Sequence, residues 1–303
     1  MNTLSITVAV LGTGSAADLL VERIRARADL RFVGSVAATD DTPAGTDCVV
    51  VLPSHRELED GSAARNVSEL LRAGFDVVST VPPEAFGETE LLDACRAGGS
   101  TFHGTGGFQS RLITRFNRAF ASISRNIEDV VLVEECALED DVDLDDARAV
   151  EALAAESAVL YEAGLRTLSD AVFGETPSLD PVTSSAVHLP REDGARRLGS
   201  SSDDRRATLV VRRSLGTRVS YDSAWSRSAS GDETLRYQLH TKTADAIGHV
   251  DLTFRAEGGT SPRDHLTCAG LLDAIAPVHA SAAGVLRHDL AIDFVRPDPR
   301  FAR

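Results

Sequence analysis

The sequence predicts an α/β protein in two halves: a parallel sheet covered by helices on both faces, then an α+β half around a mainly antiparallel sheet. Three observations carry that reading. Apolar, β-branched runs alternate with helically spaced apolar residues as far as His103, the pattern of a buried parallel sheet. The first run ends in Gly12-Thr13-Gly14-Ser15-Ala16-Ala17 and leads straight into a helical pattern. Beyond Asn126, consecutive strand-like runs are joined by Gly- and Asp-containing turns, as antiparallel hairpins are.

Residues 5–11 (SITVAVL) suit a buried strand. Residues 18–28 follow as a helix, with Leu19, Leu20 and Ile24 at helical spacing. Residues 30–37 (LRFVGSVA) and 48–52 (CVVVL) read as strands, the latter ending at Pro53-Ser54. A helix over 66–73, a strand over 76–79, a break at Pro82-Pro83, a helix over 89–97 capped by Gly98-Gly99 and a strand over 100–103 complete the first half. In the second half, 130–136 is a strand, 147–173 a long helix with Gly164 as a potential break, and 184–189 a further strand candidate. The polar stretch 194–206 reads as a loop. Residues 208–214, 218–225, 235–241 and 249–255 are strands, and 262–276 is a last helix.

At 303 residues the chain suits two domains, and 43% apolar with 25% charged residues is ordinary for a globular protein. A net charge of -15 repels phosphate backbones and anionic lipid, so neither nucleic acid nor membrane is an expected partner. No run reaches the roughly 18 apolar residues of a membrane span, and no signal-peptide pattern opens the chain. Cys48, Cys95, Cys136 and Cys268 lack metal or disulfide spacing, so reduced core thiols in a cytoplasmic protein are expected. Of 31 basic residues, Lys242 is the single lysine. Asp141, Asp143 and Asp145 have the alternate spacing of a calcium loop. Asp146 and Ala152 replace the glycine and glutamate that loop needs, so these acids read as complements to the next helix's dipole. No metal site, GxSxG elbow or HExxH is present.

Gly12-x-Gly14-x-x-Ala17 closes a strand and opens a helix, the context of the dinucleotide fingerprint of Rossmann-like domains. Gly12 permits the tight turn, Gly14 the approach of a pyrophosphate, and Ala17 close helix–strand packing. The N–H groups of Ser15 and Ala16 at the helix start face the phosphates. NAD(H) or NADP(H) is therefore the expected cofactor. After the second strand comes Ala37-Ala38-Thr39-Asp40-Asp41, with no basic residue to read a 2′-phosphate, which favours NAD. Asp40 is a ribose ligand or part of a solvated turn. Pro53, Ser54, Thr80, Pro82 and Thr105 follow strands at the sheet's ligand-binding edge. The expected division is a dinucleotide-binding domain over 1–125, a substrate-binding and dimerisation domain over 126–260, and a helix and tail over 261–303 that return to the first domain.

Four segments together resemble the dihydrodipicolinate-reductase-like oxidoreductases: VLGTGSAADLL, DVVSTVPP, GGSTFHGTGGF and CAGLLDAIAPVHASAAGVLRHDL. The nearest branch is that of 2,4-diaminopentanoate dehydrogenase and the native amine dehydrogenases. The resemblance implies NAD(P)H-dependent reduction of a C=N or C=O bond and a homodimer formed through the second-domain sheet. The chain departs from the pattern in a shortened segment, Gly106-Gly107-Phe108-Gln109-Ser110, and in lacking the family's second-domain His/Lys segment. The related sugar-dehydrogenase-like families carry Glu-Lys-Pro where this chain has Thr80-Val81-Pro82.

His103, ending a strand at the crevice, is a proton donor or a holder of backbone. Thr105, Gly106, Gly107 and Phe108 are expected to line the nicotinamide, and Gln109 to bond substrate or cap a helix. Glu134 and Glu135 alternate across a strand, so only one faces inward; Glu135 is taken as the candidate carboxylate for an amine or iminium. Tyr161, Trp225 and Tyr237 are candidates for a substrate pocket wall. The function expected is hydride transfer between a nicotinamide cofactor and a small imine, amine or carbonyl compound. The alternatives are a non-catalytic dinucleotide-binding sensor or scaffold, and a specialised biosynthetic reductase or cyclase using the same cleft.

Overall fold

The first five apolar runs lie side by side as β1 (Ile6–Leu11), β2 (Leu30–Val36), β3 (Cys48–Val51), β4 (Asp76–Ser79) and β5 (Thr101–Gly104). This arrangement comes from a computed structural model that describes residues 5–105, 126–138, 161–162, 165–166, 169, 173, 182–189, 208–227, 234–255 and 260–286. The second sheet comprises β6 (Ile127–Leu138), β7 (Val182–Leu189), β8 (Thr208–Leu215), β9 (Val219–Arg227), β10 (Thr234–Thr243) and β11 (Ile247–Arg255). The last strand, β12 (Gly284–Leu286), was not anticipated from the sequence; it joins the first sheet beside β5. Three residues are too few to show a period, and their pairing with β5 supplies what pattern cannot.

The first sheet is parallel, in the order β12-β5-β4-β3-β1-β2. The chain leaves β1 to one side for β2 and returns on the other for β3. Loops leaving β1 and β3 therefore part, and a crevice opens above the carboxyl ends of the strands. Both faces are covered. Val8, Val10, Val50 and Val78 pack on α1 (Ser15–Ala26) and on the last helix, Pro262–His279. Ala9, Leu11, Val49 and Val51 pack on the other side, where α3 (Ser62–Arg72) and α4 (Glu88–Gly98) supply Val67, Leu70 and Leu91. Burial on both faces explains why these strands are apolar throughout rather than alternating. The short α2 (His55–Glu59) precedes α3 and was also unanticipated. Ser54 and Glu57 start it with a reciprocal capping box.

The second sheet runs β11-β10-β6-β9-β8-β7 and is mixed, because β6 pairs with β9 in parallel while the other neighbours are antiparallel. One face is apolar and packs against helical residues Tyr161, Leu165 and Phe173. It also receives Leu266 from Pro262–His279, here called α5. That helix therefore serves two cores: Leu266 belongs to the second, while Cys268, Leu271 and Ile275 belong to the first. Among the described residues, no helix is long and apolar enough to cross a membrane.

Gly104 ends β5 where a Cβ would lie 2.2 Å from the Val81 carbonyl oxygen and 2.6 Å from the Pro82 Cα. Two backbones touch there with no room for a methyl group. Gly104→Ala is expected to lower stability by roughly 1–3 kcal/mol through overpacking, read as a lower urea midpoint at constant slope. An unchanged midpoint would refute this close approach.

Candidate functional site

The turn after β1 is shaped by two glycines. Gly12 sits at φ +146, and a Cβ there would meet the Leu52 carbonyl oxygen at 2.7 Å. Gly14 is the N-cap of α1 at φ 95 and ψ 179, conformations that suit glycine. A Cβ on Gly14 would meet nothing within 4 Å, so the backbone is bare on its open side. Thr13, Gly14 and Ser15 are exposed, while Ala17 is buried between α1 and the sheet. The first helical bond runs from the Asp18 N–H to the Gly14 carbonyl, and no side chain caps the helix. The N–H groups of Ser15, Ala16 and Ala17 come before that bond, at the positive end of the helix dipole. Such a turn fits the diphosphate of NAD or NADP, and Gly12 to Ala17 are the residues that can hold it.

Other expected cofactor neighbours lie along the same sheet edge. Ala37 and Ala38 follow β2 and are exposed, and Asp40 is exposed in the turn Thr39–Asp41. Pro53 and Ser54 follow β3, but the Ser54 hydroxyl is engaged with Glu57 in the capping box. Thr80 and Pro82 follow β4, and the Thr105 N–H binds the Ser79 carbonyl at 2.8 Å. His103 is buried on β5, its Nδ1 3.1 Å from the Leu286 carbonyl oxygen. A carbonyl only accepts, so Nδ1 carries the proton, and His103 ties β5 to β12. Gly106, Gly107, Phe108 and Gln109 lie outside the described residues, as do Asp141, Asp143 and Asp145.

On the covered face of the second sheet, all three tyrosines of the chain converge on one carboxylate. Tyr237 Oη donates to Glu134 Oε1 at 2.9 Å and Tyr161 Oη to Oε2 at 2.9 Å; Tyr221 also donates to Oε2. Register dictates this meeting. Tyr237 stands directly opposite Glu134 across β10 and β6, and Tyr221 lies one pair along on β9, opposite Leu132. Tyr161 comes down from the covering helical residues, its ring 4.7 Å from that of Tyr221. Glu134 is only 2% exposed, and Arg213, fully buried, lies with its guanidinium 4.7 Å from the Tyr161 ring centroid. Burial first, then the Glu134 charge, pushes all three phenols well above the usual tyrosine range.

Trp225 is buried in the same cluster, opposite Cys136 in the β6–β9 register. Glu135 points to the other face, beside Arg236 at 3.7 Å. Strand alternation demands that split, yet it does not say which glutamate faces the helices, since both faces of β6 carry valines. Glu134, not the expected Glu135, is the carboxylate of the cluster, and Tyr221 and Arg213 are the participants that residue pattern did not single out. A period-2 reading of Tyr221, Ser223 and Trp225 would have placed Tyr221 beside Trp225.

Helix α5 links the two places. Arg263 Nη2 donates to Cys136 Sγ at 3.0 Å, and Cys268 Sγ donates to the Ala16 carbonyl at 3.2 Å. Arg23 of α1 adds a bond from Nη2 to His265 Nδ1 at 2.7 Å. Five residues separate Arg263 from Cys268, about 7.5 Å along a helix axis. The tyrosine–glutamate cluster is thus joined by one helix to the opening turn of α1. Among the described residues, no group of three or more His, Cys, Asp or Glu side chains could hold a metal.

No protein-family model matches this sequence, and no curated protein does. Solved structures do share its architecture. An amine dehydrogenase from Mycobacterium smegmatis is 15% identical with a TM-score of 0.57, covering 93% of this chain and 94% of that one. A putative myo-inositol dehydrogenase from Sinorhizobium meliloti 1021 is 14% identical, with a TM-score of 0.56 and coverages of 92% and 90%. A myo-inositol dehydrogenase from Corynebacterium glutamicum gives 13%, 0.56, 93% and 90%. The chain has the fold of these dehydrogenases, a Rossmann-like sheet followed by a second, mainly antiparallel one, as the sequence resemblance implied.

The shared carboxylate gives a titration test. Unfolded tyrosine releases its proton near 10, whereas the folded phenols are raised above it. The folded state then holds more protons than the unfolded one, so stability is intact below about pH 10 and falls as pH rises above it. Tyrosinate absorbance is expected to emerge together with loss of far-ultraviolet circular dichroism. In Glu134→Gln the phenols are expected to ionise at lower pH than in the wild type. Ionisation of any tyrosine near pH 10 in the folded wild type would contradict the cluster.

Proposed function

We propose that this protein is a nicotinamide-dependent oxidoreductase that reduces a C=N bond of a small organic metabolite, or oxidises the matching amine. The observation that carries the reading is α5, which joins the Gly12–Ala17 turn to the phenol–carboxylate cluster through Cys268 and Arg263. NAD(P)H, when bound, supplies the hydride. The residues Gly12 to Ala17 hold its diphosphate, and Asp40, with no basic residue beside it, favours the free ribose of NAD.

The cluster's chemistry favours C=N over C=O. Phenols with raised pKa values are poor acids toward a developing alkoxide. Tyr161 does something else well. Its proton is committed to Glu134, so its oxygen lone pairs are left to accept from an N–H donor. Behind it stands a full negative charge at low dielectric, which stabilises a cationic iminium. An iminium is already protonated, so forming the new C–H bond turns the C=N π pair into the amine lone pair and needs no acid at that moment. In the oxidising direction, the same oxygen orients the amine nitrogen. Tyr161 is half-buried, whereas Tyr221 and Tyr237 are buried, which makes Tyr161 the member that meets substrate. A homodimer belongs to the same reading and rests on the family resemblance.

The test has two arms. NADH or NADPH fluorescence is expected to change on mixing, and Gly14→Asp to weaken binding by roughly a hundredfold or more through like-charge repulsion of the diphosphate. Tyr161→Phe is expected to keep cofactor affinity and lower kcat for ketone plus ammonium by roughly a hundredfold. Absence of cofactor binding at millimolar concentration would end the reading. Binding without turnover of any carbonyl, imine or amine would favour a dinucleotide sensor instead.

A further inference from the structure

The face of the second sheet turned away from its helical cover carries a pair of histidines. His240 on β10 stands directly opposite His249 on β11. Tyr237, Leu239, Val250 and Leu252 belong to the covered core, so alternation sends both imidazoles to the other face. β11 is the edge strand; His249 is exposed and His240 half-buried. The two Nδ1 atoms lie 3.2 Å apart, and the rings are tilted by 40° with centroids 4.6 Å apart. Among the described residues, the hydrogen-bond partner of each ring is the other ring. Charged neighbours on that face are engaged with one another. Asp251 accepts from Arg236 and from Gln238, and Lys242 Nζ lies 2.6 Å from Glu128 Oε2. On the other flank, β6 puts Val131 opposite His240. Burial first, then His249, holds His240 below the usual histidine range against the opposing pull of Asp251. Its ring is therefore neutral at neutral pH and offers a nitrogen lone pair.

We propose that His240 and His249 together bind one divalent transition-metal ion (Zn2+, Ni2+ or Cu2+) through their Nδ1 atoms. Neither ring belongs to the site described above, so the assignment is independent of the redox reading. Zn–N bonds of about 2.0–2.1 Å at a tetrahedral angle set two ligand nitrogens about 3.3–3.4 Å apart. The right angle of a square or octahedral ion sets them about 2.9 Å apart at the same bond length. The observed 3.2 Å falls between these two spacings. A hydrogen bond between the rings uses one lone pair and needs a proton on the partner, whereas a metal ion takes a lone pair from each. Two imidazoles are a two-point clamp, short of the three protein ligands of a catalytic zinc site, and water completes the coordination. Imidazole selects zinc, nickel and copper, while Mg2+ and Ca2+ require oxygen ligands. A net charge of -15 draws cations toward the surface. Because the two ligands belong to different strands, the bound ion pins the edge strand β11 to β10, and binding becomes measurable as stability.

Two measurements on the full chain test this. In equilibrium dialysis with Zn2+, His240→Asn and His249→Asn are each expected to weaken binding by roughly tenfold or more. His279→Asn, which removes the exposed histidine beside Asp76, is expected to leave it unchanged. Zn2+ a hundredfold above its dissociation constant should raise the melting temperature of the wild type by about 5 °C, and Mg2+ should not. Neither variant at position 240 or 249 should show the zinc shift. The second measurement needs no variant. Cu2+ titrated into the wild type should give an electron paramagnetic resonance spectrum with hyperfine splitting from two nitrogen ligands. Unchanged zinc affinity in both folded variants, a Mg2+ shift equal to that of Zn2+, or fewer than two nitrogens on copper overturns the proposal. Cofactor binding enters none of these readouts, so failure of the redox reading leaves them intact.

Discussion

A charged carboxylate buried to 2% exposure is the constraint around which the second sheet is organised. Leaving Glu134 there without partners would cost several kcal/mol. Three phenol hydroxyls offset that cost, and hydrogen bonds to a charged acceptor are worth about 1.5–3 kcal/mol each. The arrangement demands a fixed register, because Tyr237 and Tyr221 reach Glu134 only when β10 and β9 flank β6 as they do. A slip of one residue would turn Glu134 to the opposite face, beside Arg236, and put Glu135 under the phenols. The parallel pairing of β6 with β9, unusual in an otherwise antiparallel sheet, places Tyr221 on the side that Tyr237 does not occupy.

The second constraint is α5. A helix that packs in the core of one sheet and reaches the core of another transmits the position of each to the other. Its first turn holds Cys136 through Arg263; beyond it, His265 meets Arg23 in the last turn of α1, and Cys268 holds the start of α1 at Ala16. Burial pushes the Cys268 thiol up to about 11, so it stays a neutral donor to Ala16. That single S–H···O contact fixes the end of α1 where backbone donors are exposed. The distance between that end of α1 and the phenol cluster is therefore set by a rigid element, not by a loop.

Much of this was legible in the residues. Buried parallel strands announced themselves as apolar runs, because both of their faces are covered. The glycine turn was legible because its constraints are local: φ +146 at Gly12 and φ 95 at Gly14 restrict residue type whatever surrounds them. Tyr161 and Tyr237 were legible as scarce aromatics. What could not be read was which glutamate they serve. Val131 and Val133 on one face match Val130 and Leu132 on the other, so alternation was silent, and only the helical cover decides. β12 escaped because three residues carry no period.

The scarcity of lysine fits the same logic. A lysine buried where Arg213 stands would lose its proton readily on desolvation. Burial pulls the Arg213 pKa down as well, yet guanidinium begins so high that it stays charged at any physiological pH. Arg213 can therefore keep positive charge inside a protein whose overall charge is -15, against the ring of Tyr161. An acidic exterior repels small anions at long range, but salt screens that repulsion beyond about 8–10 Å.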